Sequence, residues 1–541
     1  MGLVVIDGNE IEVADHERLN GIQAARRVGV EIPHYCWHPG LSVVASCRMC
    51  LVETGTRAAD GKISMLPKLV PACQTPAKDG TVFVTDSEKV RQARAMVEED
   101  LLIDHPIDCP ICDKAGECLL QDYHFEHGQG ERRADIKPFT SRRREMGPTV
   151  TLFVDRCVMC SRCVRFTREI SGDAELMVIN RGSHEEIDVF PGYPLDNKLS
   201  GNVVDLCPVG ALGDKDFLYK QRVWFMKKHE GVCASCSTGC SIWIEENQDA
   251  VFRLKPRENP YLNQWWMCDE GRYNYAYIHS PTRQLEPRRR EETEYVNIEW
   301  SQAPRELERR LRETVGDGGS LAVAVSPFLT VEEAYLLCKL ARQIDRAAFV
   351  AMGPVPMVGE DERFKSGFVI HAEKCPNRRG VEAVLKHFGD EAKSWDEFLS
   401  QLDAGRFAAA WVAGGYPAPW IDETTAARFD NLALLVVQDL FESPLWRRAT
   451  YQLPGGGYAE RSGSYVNYQE CLQSFRWAVR PPAGAKVEGH LYWQMLGRRG
   501  LYNSREVLNE VAAQIPYFAV AMDPVPPTGL DLRSNLLAAT T

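Results

Sequence analysis

The chain opens on short apolar runs divided by turn residues. Residues 3–6 and 10–13 flank Asp7-Gly8 and predict two strands joined by a tight turn. A helix through Gln23–Val28 completes a small β-rich N-terminal segment. From Glu88 to Ile103 the period becomes helical, with Val90, Ala93, Val97 and Leu101 on one face. Thr85 and Glu88 form a capping box at its start. Pro106 ends the helix and forces His105 into an extended conformation.

Beyond residue 286 the pattern changes. Strand-like runs at Leu321–Val325, Ala408–Val412, Leu432–Val437 and Phe518–Met522 alternate with helix-like stretches such as Ser301–Val315 and Thr330–Ile344. This predicts an α/β domain with a largely parallel sheet. The charged stretches Arg142–Arg144 and Arg288–Glu292 read as linkers or solvated loops, and PGGGY (Pro454–Tyr458) and GDGG (Gly316–Gly319) as turns. No solenoid-type repeat is present.

Composition narrows the function. At 541 residues the chain needs several domains, and 44% apolar residues is ordinary for a globular protein with a core. The net charge of −12 leaves no basic excess for nucleic acid, so none is expected as a partner. The N-terminal stretch has no basic region followed by a long apolar run, so no secretory signal is expected. Ile6 stands where myristoylation would need Ser or Thr. Apolar runs fall well short of the roughly 20 residues that span a bilayer, so a soluble protein is expected, tied to a membrane only through other chains. No GxGxxG, GxxxxGK[ST] or nucleophile triad occurs, and no residue is assigned as catalytic.

The cysteines carry the chemistry. Fifteen of the 18 lie between Cys36 and Cys268, at spacings that suit metal ligation. Cys36, Cys47, Cys50 and Cys73 suit a [2Fe–2S] cluster of the plant-ferredoxin kind, although the first gap is longer than in that family. Cys109, Cys112 and Cys118 lack a fourth cysteine nearby. An extended His105, four residues before Cys109, can supply the fourth ligand. The alternative is a capping or surface histidine, with water or a remote cysteine in its place. Cys157, Cys160, Cys163 and Cys207 have the spacing of a single [4Fe–4S] site, the last followed by Pro208. Cys233, Cys236, Cys240 and Cys268 form a further cubane-type set, for which zinc is the alternative. Cys338 reads as helix core, and Cys375 and Cys471 have no ligand-spaced partners.

The stretches IPHYCWHPGLS, HPIDCPICDKAGECLLQD, DRCVMCSRCVRF, GNVVDLCPVGAL and CASCSTGC, in that order, resemble the large iron–sulfur subunit, of the 75 kDa type, of respiratory NADH–quinone oxidoreductases. The resemblance implies one [2Fe–2S] cluster on the first set and three [4Fe–4S] clusters on the others, with His105 a ligand. It implies an N-terminal β-grasp ferredoxin-like domain over residues 1–84, iron–sulfur domains over 85–130, 131–228 and 229–285, and a C-terminal α/β domain over 286–541. Overall this is a multidomain α+β and α/β chain. Trp300–Leu311 and Ala459–Gln473 resemble signatures of the molybdopterin oxidoreductases. The comparable stretch Phe349–Gly359 offers no metal-ligating side chain, so this domain is expected to be degenerate and to hold no molybdopterin.

The implied activity is electron relay from NADH and FMN toward quinone. The path runs through the Cys36 set, then the Cys157 set and the His105 set, with the Cys233 set off the path. The implied partners are an FMN/NADH-binding subunit, a small [2Fe–2S] subunit and quinone-side iron–sulfur subunits. The implied place is the inner face of the cytoplasmic membrane, peripheral to it. The same module in an NAD-linked hydrogenase or formate dehydrogenase is the nearest alternative, and a zinc-bound scaffold is an alternative of another class.

Overall fold

The computed structural model describes residues 2–533 apart from 132, 135, 183 and 317–319. Most of the expected GDGG turn therefore lies outside the described residues. The chain divides into two compact units, the first built of Met1–Met226 with Phe364–Gly367 and the second of Lys227–Arg363 with Phe368–Thr541.

The first unit starts with β1 (Gly2–Ile6) and β2 (Asn9–Val13), paired antiparallel from Gly2 with Val13 to Ile6 with Asn9. Asp7 and Gly8 both take positive φ, 48° and 84°, as a tight hairpin requires. Helix α1 (Gly21–Arg27) follows, then β3 (Leu51–Arg57), β4 (Ile63–Met65), β5 (Val70–Pro71) and β6 (Thr81–Val84). These make one sheet in the order β2-β1-β6-β3-β4, with β5 on β3 and β1 parallel to β6. Ile22, Ala24 and Ala25 of α1 pack with Val4, Ile6, Val52 and Phe83 of the sheet.

Helix α2 (Glu88–Asp104) differs from expectation at its start and on its buried face. Its N-cap is Ser87, whose hydroxyl accepts from Val90 N, because Thr85 is bonded to the Asp7 carboxylate. It buries Val90, Arg94, Ala95 and Glu98 rather than a purely apolar stripe. Arg94 donates to Thr85 O at 2.9 Å, and Glu98 accepts from the Tyr35 hydroxyl. These remote partners make polar residues the better core here. Helix α3 (Leu119–His127) lies beyond the next loop.

Arg142–Arg144 is not a linker. Arg143–Glu145 is a strand paired with Val150–Phe153, which also pairs with Leu212–Asp214. Arg144 is held by Asp188 at 2.7 Å and Glu186 at 3.0 Å. A charged edge strand with such partners looks like a loop in sequence.

In the second unit, Lys227–Val232, Ser241–Asn247 and Ala250–Pro256 form an antiparallel sheet. A seven-stranded sheet follows. Five of its strands, Tyr451–Pro454, Leu434–Asp439, Ala409–Ala413, Leu321–Val325 and Phe349–Met352, are parallel in that order. Arg288–Glu291, expected in a loop, is an antiparallel strand beside Tyr451–Pro454 and pairs with Glu294–Asn297. The segment expected as strand Phe518–Met522 is part of a 3₁₀ helix, Pro516–Met522, because Pro516 starts a helical turn that buries Phe518 and Ala521. The helix Val331–Ile344 lies against the sheet with Leu336, Leu337, Cys338 and Leu340 at most 1% exposed. Each such leucine contributes roughly 1.5–3 kcal/mol of burial. No helix among the described residues is long and apolar enough to cross a membrane.

Candidate metal centres

All 18 cysteines are free thiols, and the fifteen singled out as ligands in the sequence belong to four stretches of the structure. Three of the stretches are in the first unit and one is in the second.

The loop between α1 and β3 carries Cys36, Cys47 and Cys50. Pairing of β5 with β3, together with the Ala72 N to Cys50 O bond of 2.9 Å, returns Cys73 to the same place. Cys36 N points at Cys47 Sγ, 3.5 Å away. Cys36, Cys50 and Cys73 are each 1% exposed. Hydrogen bonds from Cys47 and Cys73 hold the Cys36 thiol low, and the bonds to Cys36 push Cys47 and Cys73 up. Cys73 also bonds Cys50, which closes the set. Arg48, inside the Cys47–Cys50 loop, has φ 60° and curls the backbone around the sulfurs.

The second place is the loop from α2 to α3. His105 is extended, as expected, at φ −63° and ψ 126°. Burial and the nearby Arg156 guanidinium push it down to about 4, so its ring is neutral near pH 7 and has a free lone pair. Arg156 is tied to Asp108 at 2.9 Å. Cys118 stands just before α3, with the N–H groups of Leu120 and Gln121 aimed at its sulfur, and burial pushes its thiol up to about 11. Burial also raises Cys112, which feels Cys109 on one side, as Cys118 feels Cys112. The three cysteines are thus brought together. The charged groups that act on His105 are Arg156 and Asp108.

Cys157, Cys160, Cys163 and Cys207 line one cavity with Leu152, Ile187, Val209, Ala211 and Leu212. Met159 and Ser161 take φ of 46° and 57°, which turns the backbone inward. The N–H of Met159 points at Cys157, that of Arg162 at Cys160 and that of Val164 at Cys163. Burial nevertheless pushes these thiols up, Cys160 to about 11.

In the second unit Cys233, Cys236 and Cys240 occupy the tip between Lys227–Val232 and Ser241–Asn247, closed by a Cys233 N to Cys240 O bond of 2.9 Å. Cys268 caps the helix Asp269–Tyr273, and its sulfur accepts from Gly271 N at 3.3 Å. A Cβ on Gly271 would lie 3.0 Å from Cys233 Sγ and 3.4 Å from Cys268 Sγ, so both sulfurs meet over this glycine. A cavity of about 950 Å³ beside Ser235 and Asn274 is lined in part by Pro354–Val358 of the stretch compared with the molybdenum-ligating loop. Cys338, Cys375 and Cys471 are buried apart from these sets.

Among the described residues no group of three or more His, Cys, Asp or Glu side chains is arranged around a single-ion position. The ligands of an iron–sulfur cluster stand at separate corners of a larger object, so neighbouring pairs describe these sets better than one centre. Gathered sulfurs, burial and inward N–H groups fit such an object: the iron supplies the positive charge that crowded thiolates lack, and N–H donors stabilise sulfur.

Spacing gave no sign of Gly210 or of Arg162 and Arg165. A Cβ on Gly210 would lie 2.2 Å from Cys112 Sγ, so the Cys207 loop can approach the Cys112 loop only with glycine here. The two arginines bridge separate loops, a property of the fold rather than of the motif.

Family models match along the chain in the same order as the four sets. Residues 3–88 match a 2Fe-2S iron-sulfur cluster binding domain, and 94–133 the NADH-ubiquinone oxidoreductase-G iron-sulfur binding region. Residues 147–213 match the ferredoxin-like domain of NADH-quinone oxidoreductase subunit 3, and 226–280 the molybdopterin oxidoreductase Fe4S4 domain. The chain therefore carries iron–sulfur domains of both the 2Fe-2S and the 4Fe-4S type. A relative from Rickettsia felis, the G subunit of its NADH-quinone oxidoreductase, is 35% identical over 339 residues, covering 63% of this chain and 48% of its own length. The NADH-ubiquinone oxidoreductase 75 kDa subunit of Reclinomonas americana is 32% identical over 362 residues, 66% of this chain and 50% of its own. The chain spans about half the length of these curated relatives. Among solved structures, a chain of an NAD+-reducing [NiFe]-hydrogenase in the H2-reduced state is 28% identical with a TM-score of 0.35, covering 41% of this chain and 91% of that one.

Proposed function

We propose that this chain, a homologue over 63% of its length of the G subunit of NADH–quinone oxidoreductase, is an electron-transfer subunit relaying electrons from NADH and flavin on one partner toward quinone on others. Cys36, Cys47, Cys50 and Cys73 would hold a [2Fe–2S] cluster. His105 with Cys109, Cys112 and Cys118, the Cys157–Cys207 set and the Cys233–Cys268 set would each hold a [4Fe–4S] cluster. Such clusters take up and release single electrons without making or breaking a bond to a substrate.

The observation that carries this reading is the gathering of sulfurs from separate segments, as Cys207 joins Cys157, Cys160 and Cys163 around one cavity, with backbone N–H groups turned toward the last three. The protein's own part is to hold each set rigid, dry and neutralised. The parallel β1–β6 pair with α1 against the sheet supports a β-grasp ferredoxin-like fold for 1–84. The division at 130, 228 and 285 follows the ligand sets. The apolar Pro354–Val358 supports a degenerate C-terminal domain without molybdopterin. The partners are the flavin subunit, the small [2Fe–2S] subunit and the quinone-side iron–sulfur subunits, and they hold the chain at the inner face of the membrane.

The test is reduction by NADH. Co-purified with its flavin-bearing partner, the chain is expected to show iron–sulfur EPR signals within seconds of NADH addition. Signals that appear with dithionite but never with NADH would contradict the relay.

A further inference from the structure

Two arginines between the first and third cysteine sets have an unusual environment. Arg162 and Arg165 are 7% and 6% exposed, on the short helix Arg162–Phe166. A buried guanidinium ordinarily has a carboxylate partner. Among the described residues neither has one: their acceptors are backbone carbonyls and one hydroxyl. Arg162 donates to Leu206 O at 3.2 Å and to Trp37 O at 2.6 Å. Arg165 donates to Cys160 O at 3.2 Å and also to Cys36 O and Ser42 O. Its Nε reaches Ser161 Oγ at 3.3 Å. The carboxylate in the next turn, Glu169, is taken by Ser42, whose N–H it accepts at 2.8 Å.

Each guanidinium therefore touches both loops. Trp37, Cys36 and Ser42 belong to the segment that carries the first set, and Leu206 and Cys160 to the segments that carry the third. The Nε of Arg162 is buried without a partner among the described residues, so hydrogen bonding alone does not account for that side chain. The sulfurs of Cys160 and Cys207 lie nearby, and they become negative only as thiolates. The charge missing from the surroundings is thus the charge that a thiolate-ligated cluster brings.

We propose that Arg162 and Arg165 form a buried cationic bridge that fixes the spacing of the first and third sets and raises the reduction potential of the group held by Cys157, Cys160, Cys163 and Cys207. The proposal rests on the reading that these sets hold iron–sulfur clusters. One electron adds one negative charge to the group, no bond forms or breaks, and two nearby fixed cations favour the reduced form. The bridge makes electron residence on the third set more favourable without either arginine being a ligand. Both are positioning residues, since they meet the cluster only through its loops and its field.

The test is an EPR-monitored redox titration of the full chain with its clusters, comparing wild type with Arg162→Gln, Arg165→Gln and the corresponding Lys variants. The signal of the third set is identified by its loss in Cys157→Ala. The Gln variants are expected to lower its midpoint potential and to weaken its magnetic interaction with the [2Fe–2S] signal. The Cys233-set signal is the internal reference and stays in place. The Lys variants keep the charge and are expected to keep the midpoint near wild type. If the Gln variants lose the cluster altogether, the Lys variants decide: a wild-type midpoint supports the bridge, and a lowered one overturns it. Gln variants that are fully loaded with an unchanged midpoint also overturn it. A wild-type protein with no iron–sulfur signal would overturn instead the reading on which the proposal rests.

Discussion

At the scale of single residues, the groups beside the cysteines are as informative as the cysteines. Glu98 is fully buried in α2, accepts from the Tyr35 hydroxyl and leaves its other oxygen without a partner among the described residues. Burial pushes its carboxyl up to about 7. Between the ordinary value of 4.5 and about 7 the folded protein therefore keeps a proton that the unfolded chain has lost. Stability contributed by the protonated group is present at the acid end of this window and is lost as pH rises through it. Glu98→Gln keeps a neutral amide there, so its Tm is expected to fall less than that of wild type between pH 5.5 and 7.5 in calorimetry. Equal slopes would show that Glu98 is ionised throughout. Gly210 gives a sharper test. Its missing Cβ leaves room for Cys112 Sγ, which would otherwise sit 2.2 Å away. Gly210→Ala is expected to remove or convert the EPR signal of the His105 set and to leave the Cys36 and Cys233 signals intact. Four unchanged signals would mean that the two loops separate without cost.

At the scale of elements, buried ion pairs bind the second unit together. Arg461 sits between Glu333 on the helix Val331–Ile344, at 2.7 Å, and Glu488 on the helix Glu488–Met495, at 2.9 Å. All three side chains are at most 2% exposed. Replacing Arg461 by Met leaves two buried carboxylates facing each other, and removal of one partner of such a pair typically costs about 3–5 kcal/mol. Arg461→Met is expected to lower the denaturation midpoint of this unit correspondingly, with its iron content kept where the protein stays folded. A midpoint within error of wild type would show that water or protons replace the arginine.

Elements of this kind also mark the limit of what the sequence could say. The hairpin at Asp7-Gly8, the helix Val331–Ile344 and three of the five central parallel strands follow from local period and turn chemistry. The buried face of α2 did not, because Arg94 and Glu98 become core residues only through Thr85 and Tyr35, brought up by other segments. Arg143–Glu145 and Arg288–Glu291 read as loops because their charged side chains are held by distant acids, such as Asp188 and Glu306. The short apolar run Phe518–Met522 fitted a strand as well as a helical turn, and Pro516 decided it. The proposed cysteine sets stand out in the sequence because their spacing is itself chemical. The arginines that bridge them do not, because carbonyl acceptors leave no pattern in a sequence.

At the scale of the whole molecule, three of the four sets lie in the first unit and the fourth lies in the second, with its own antiparallel sheet. The proposed wire uses the sets of the first unit, and the set proposed to lie off the path belongs to the second. The most direct measurement is an anaerobic assay of iron and zinc, with EPR of the dithionite-reduced full chain. The expected result is about 14 iron atoms per chain, with signals of one [2Fe–2S] and three [4Fe–4S] clusters, and one [4Fe–4S] signal lost or altered in His105→Ala. Stoichiometric zinc with little iron and no iron–sulfur signal would contradict the account.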